Sequence, residues 1–146
     1  MNFGITITGN LNQERCDLIV SLSDKLENYF ADKSYGSSVK EFLIGVICVR
    51  PEFDFFFSPR KPRYIESVIE RRSGMELKVY KSYSYEIKLD YQSFTNIPIA
   101  QFQIALFKEI LDSFHHLDRL PKKIREFDKE RLKADFIAFL EQHLNE

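Results

Sequence analysis

Residues 75–91 read M-E-L-K-V-Y-K-S-Y-S-Y-E-I-K-L-D-Y, the clearest period-two pattern in the chain. Side chains alternate across a strand, so Met75, Leu77, Val79, Tyr83, Tyr85, Ile87, Leu89 and Tyr91 on one parity predict a core face. Glu76, Lys78, Tyr80, Ser82, Ser84, Glu86, Lys88 and Asp90 on the other predict a face turned to water or to a partner. Lys81 alone breaks the apolar row, which predicts a bend, bulge or turn near Lys81 and Ser82.

A strand of this kind needs other strands beside it and helices over its apolar side, and the rest of the chain supplies both. Phe3, Ile5 and Ile7 alternate with Gly4, Thr6 and Thr8 in a short first strand. Over residues 11–31 the apolar positions Leu11, Leu18, Ile19, Leu22, Leu26, Tyr29 and Phe30 fall at helical spacing, with Asn10 or Asn12 as N-cap and residues 34–38 as the turn beyond. Residues 39–50 form a second strand whose centre, 42–49, is apolar on both parities, the pattern of a strand covered on both faces. Its neighbours each show a polar face, so either a local segment covers Leu43, Ile47 and Val49 or that patch is open to another protein. The nearest cover is Phe53-Asp54-Phe55-Phe56-Phe57, between Pro51 and the loop at 58–62.

Residues 62–72 predict a short helix begun by Pro62 and stopped by Ser73-Gly74, with a strand as the alternative. After the long strand, Asn96 as cap and Pro98 in the first turn predict a helix carrying Ile99, Phe102, Leu106, Ile110, Phe114 and Leu117. Pro121 breaks the chain, and a last helix over 128–144 presents Leu132, Phe136, Phe139, Leu140 and Leu144. This order predicts a single α+β domain over residues 1–146, a mainly antiparallel sheet of three to four strands packed on one face by three main helices.

Twenty-one basic and 22 acidic side chains leave a net charge of -1, so no global field draws the chain to nucleic acid or to an anionic membrane. The amino terminus has no signal-peptide pattern and no 18-residue apolar run occurs, which predicts a cytoplasmic protein without a membrane partner. Cys16 and Cys48 lack the spacing of a disulfide framework or zinc site and are expected as free buried thiols. Glu109, Asp112, His115 and His116 share one helix without the H-E-x-x-H signature and read as a solvated polar face rather than a metal site. No nucleophile motif and no phosphate-binding glycine loop is present, so neither catalysis nor a cofactor is expected.

Fourteen Phe and seven Tyr with no Trp predict a Phe-rich core, with some rings as candidates for a partner surface. Of two basic stretches, 119–133 is interrupted by Glu126, Asp128 and Glu130 and reads as a solvated helix start. Arg60, Lys61, Arg63, Arg71 and Arg72 stand beside Phe57 and Tyr64, and this leaves a nucleic-acid-binding regulator as the alternative function.

Four segments together resemble a group of bacterial immunity proteins from polymorphic toxin systems. They are the opening Ile5-Thr6-Ile7-Thr8-Gly9, then Asp32-Lys33-Ser34-Tyr35-Gly36, the strand end and turn from Tyr85 through Asp90-Tyr91 to Phe94, and the helix around Leu106-Phe107 to Phe114. The resemblance spans residues 1–117, and the chain departs from the pattern at 52–63 and in its final helix. It implies a non-catalytic protein that binds a cognate toxin domain and blocks it. Two surfaces are candidates for that contact: Lys78, Tyr80, Glu86, Lys88 and Asp90 on the long strand, and Glu52, Phe53, Asp54, Phe55 and Arg60 on the loop. Nothing in these patterns sets an oligomeric state.

Overall fold

The computed structural model describes residues 1–36, 39–72 and 75–143, with side chains throughout these except at 67–72 and 75–80. Strand β1 spans Asn2–Gly9 and helix α1 Gln13–Phe30. Asn12 caps α1 by accepting a hydrogen bond from the Arg15 amide at 2.9 Å. Ile19, Leu22, Leu26 and Phe30 recur every three or four residues and bury one face of the helix. At the other end, the Met1 ammonium donates to the carbonyls of Phe30 at 3.1 Å and Lys33 at 2.6 Å, filling acceptors that a helix C-terminus leaves open.

Strands β2 (Val39–Cys48), β3 (Arg63–Arg72) and β4 (Met75–Lys88) complete a four-stranded sheet in the order β1-β2-β4-β3. The sheet is mixed: β1 pairs parallel with β2, β2 parallel with β4, and only β3 with β4 is antiparallel. The expectation of a mainly antiparallel sheet is therefore corrected. Its premise was an element order without regular alternation of strands and long helices, but a single crossover is enough to make neighbours parallel, and α1 carries the chain back so that β2 starts at the same end as β1.

The second correction concerns residues 62–72, which form β3 rather than a short helix. Tyr64 and Ile65 pair with Tyr83 and Ser82 of β4, and hydrogen bonding to that neighbour decides a segment whose own apolar spacing suits either state. Ser73-Gly74, Ser37-Ser38 and Leu144 lie outside the described residues, as do the side chains of Val68, Ile69, Met75, Leu77 and Val79. The irregularity expected at Lys81 falls on its partners: β4 runs through unbroken, while the register shifts between Val39 and Glu41 on β2 and between Ile65 and Val68 on β3.

Register aligns Phe3, Phe42 and Tyr83 in one row and Ile5, Ile44 and Tyr85 in the next, all buried. Rings run through this layer from Phe30 to Phe3 (4.9 Å between centroids), Phe42 (5.1 Å) and Tyr83 (5.8 Å). Over it lie α3 (Ile99–Ser113) and α4 (Lys129–His143), which bury Phe102, Leu106, Phe107 and Ile110, and Leu132, Phe136 and Phe139. A short helix α2 (Tyr91–Asn96), capped by Asp90, precedes α3. Asn96 thus ends α2 instead of capping α3, whose N-cap position is Pro98. The stripe expected to reach Leu117 leaves the α-helix at Ser113 and continues as a 3₁₀ turn over Phe114–Arg119. Arg15 locks this arrangement: buried itself, it donates from Nε to Phe94 O at 3.0 Å and from Nη2 to Ile97 O at 2.6 Å. No helix among the described residues is long and apolar enough to cross a membrane.

Candidate functional site

The connection from β2 to β3 crosses the sheet face opposite the helices. Pro51 ends β2's run, and Pro51–Phe56 coils into a 3₁₀ turn in which the Phe53 amide donates to Arg50 O at 2.8 Å. Two contacts fasten this connection to β4. Lys88 Nζ lies 2.9 Å from Asp54 Oδ1. Farther along, the Arg60 amide donates to Glu86 Oε1 at 2.9 Å, and Arg60 Nε lies 3.8 Å from the same oxygen.

Glu86 shares its row with Gly45 and Thr6, and Lys88 shares its row with Ile47 and Thr8. A Cβ on Gly45 would stand 3.0 Å from Glu86 Cγ, so the missing side chain leaves room for Glu86 to reach Arg60 across the sheet. Beneath the crossing, Ile47 is 3% and Val49 2% exposed, whereas Leu43 is only half-buried. The doubly apolar pattern of β2 is thereby explained: its second face is covered in part by a local segment.

That segment keeps its own rings outside. Ten of the 14 Phe are buried, and the other four are Phe53, Phe55, Phe56 and Phe57. Phe55 is 89% and Phe56 74% exposed, with their rings edge to face at 5.6 Å, and Phe53 is 40% exposed. A six-residue 3₁₀ turn can point only part of its circumference at the sheet, and here Asp54 holds that position through Lys88.

The two surfaces read from the sequence as alternatives therefore meet. Asp54 and Arg60 of the loop touch Lys88 and Glu86 of the strand, and Glu52, Phe53 and Phe55 stand exposed beside them. Asp90 lines one pocket with Pro51, Asp54 and Lys88, and it also caps α2: it accepts from Ser93 Oγ at 2.6 Å and Ser93 N at 3.1 Å, bonds that hold its carboxyl below the usual range. Lys78 and Tyr80 lie on β4 where side chains are outside the description. Sequence reasoning missed Phe56, although the Phe run that contains it was the available signal. It also missed Gly45, whose part depends on a neighbour across the sheet.

His115 and His116 sit on the 3₁₀ turn after α3 with ring centroids 4.2 Å apart, and the His116 ring is 4.6 Å from that of Tyr85. Burial, and secondarily His115, push the His116 imidazole below its ordinary value. Among the described residues no three His, Cys, Asp or Glu side chains are grouped to hold a metal ion.

Set beside known families, the chain falls among the immunity proteins. It belongs to the family described as Immunity protein 44, Imm44, whose model matches residues 1–142. No curated protein and no solved structure matches the chain significantly.

Proposed function

We propose that this protein binds a cognate bacterial toxin domain in the cytoplasm and neutralises it by covering its active site or substrate entry, with no catalysis of its own. The toxin belongs, on this reading, to a polymorphic toxin system. One observation carries the proposal beyond family membership: every Phe that is not buried lies in residues 53–57. Aromatic side chains are the usual anchors of protein interfaces, and a cluster held on a fastened turn loses little entropy when it docks. Asp54, Lys88, Arg60 and Glu86 place both signs of charge along the same connection, which favours a matched partner over mismatched ones.

Co-expression with the toxin encoded beside this chain tests the reading. The expected result is restored growth and recovery of a complex through two purification steps. Continued killing, with no complex recovered, refutes it.

A further inference from the structure

We propose that the cleft between residues 59–62 and the turn after α3 receives an acidic segment of the partner protein, with Lys61 and Arg119 as its anion-binding groups. This deepens the toxin-binding reading and rests on it. Lys61 and Arg119 come from the two basic stretches of the sequence, and the fold brings both to one cavity of about 740 Å³, which His115 and His116 also line. Arg125 borders the adjoining cavity next to Arg119 and extends the positive surface.

The carboxylates that could neutralise these cations are already engaged. Asp118, the one acid lining the cavity among the described residues, is held by Lys129 at 3.1 Å and Lys133 at 3.4 Å. Glu66 pairs with Lys123, and Glu86 with Arg60. Lys61, Arg119 and Arg125 make no ion pair with any described residue, which leaves Lys61 and Arg119 available to an anion in the cleft. Pro62, Pro121 and Tyr83 wall the cavity, and proline walls need little reordering when a ligand enters.

The cleft also has a direction. The neighbouring cavity, which shares Lys61, Pro62 and the two histidines, sets Arg60, Lys61 and Lys88 beside Glu86, Glu109 and Asp112, so its charges balance. An acidic group seats between Lys61 and Arg119 and gains less on the balanced side. A nucleic-acid strand fits this poorly, because regularly repeated phosphates need a continuous run of free cations, and beyond Lys61 the next two, Arg60 and Lys88, are paired with Glu86 and Asp54. A protein segment can place its acids at one end only.

The test uses the full chain, a poly-glutamate peptide as probe, and the toxin domain encoded beside it. Poly-glutamate is expected to move the His115 and His116 ring resonances in NMR spectra, and Lys61→Glu combined with Arg119→Glu to abolish the shift. The same double variant should bind the toxin on the order of tenfold or more weakly at low salt, with an unchanged melting temperature. Lys61→Gln with Arg119→Gln is the milder pair should charge reversal disturb folding. Unchanged toxin affinity in the folded variant overturns the cleft assignment and leaves the toxin-binding reading standing. Histidine rings unmoved by poly-glutamate overturn it as well, whatever the toxin does. Tighter binding of a single-stranded oligonucleotide than of poly-glutamate at these residues replaces the protein partner with a nucleic acid. Failure of the wild-type chain to bind the toxin refutes the earlier reading, and this inference with it.

Discussion

Replacing Phe55 and Phe56 together by Ala separates the stability of this protein from its recognition. Burying a Phe side chain completely is worth about 1.5–3 kcal/mol. Phe55 is 89% and Phe56 74% exposed, so folding has captured only about a tenth and a quarter of that value, below about 1 kcal/mol for the pair. The melting temperature should fall by no more than about 4 °C. Phe42, at 0% exposure and ringed by Phe3, Tyr83 and Phe114, provides the contrast: Phe42→Ala should cost about 3–5 kcal/mol. The unburied remainder of Phe55 and Phe56 is what a partner can use, about 2 kcal/mol each. If both rings enter the interface, the double variant should bind the toxin about a thousandfold more weakly. Thermal denaturation followed by far-UV circular dichroism measures the first quantity, and isothermal titration with the toxin domain the second. A double variant that melts as early as Phe42→Ala shows the rings to be structural. One that melts normally and binds with wild-type affinity removes this surface from the interface.

Arg15→Leu keeps an apolar stem near Phe102 but leaves the carbonyls of Phe94 and Ile97 without their buried donor; a loss of about 3 kcal/mol and about 10 °C is expected by denaturation, and a change below about 2 °C refutes the locking role. His116 is held below the ordinary imidazole value when folded, so between roughly pH 7 and pH 5 the unfolded chain binds its proton first and stability drops on acidification. The carboxyls of Asp90, Asp118 and Glu66 are also depressed, but theirs is a loss at lower pH, below the ordinary carboxylate range. His116→Gln should therefore flatten the melting temperature between pH 7 and pH 5; an unaltered slope in that variant rules the group out.

Much of the architecture was legible because its signals are local. The spacing of Ile19, Leu22, Leu26 and Phe30 identifies α1, and the parity of Tyr83, Tyr85 and Leu89 identifies the buried side of β4's end. Residues 64, 65, 68 and 69 misled because that spacing suits a helix and a strand alike until β4 lies alongside. Strand direction is likewise absent from periodicity, since a parallel and an antiparallel neighbour impose the same alternation. The candidate surface was legible as two halves. Glu52, Phe53, Asp54, Phe55 and Arg60 were picked for their chemistry, as were Glu86 and Lys88, but the Asp54–Lys88 and Arg60–Glu86 contacts that join the halves depend on how the loop crosses the sheet.

The fastening of residues 51–60 at Asp54 and Arg60 makes them a cassette. Asp54 and Arg60 are held by charges on β4, while Phe55 and Phe56 between them stay mostly exposed. Length and side chains between the fastenings can drift without repacking the core. On the proposed function, a lineage pressed to follow a changing toxin could rewrite this stretch while inheriting the rest of the molecule intact, and an engineer could transplant a new one between Asp54 and Arg60 for the same reason.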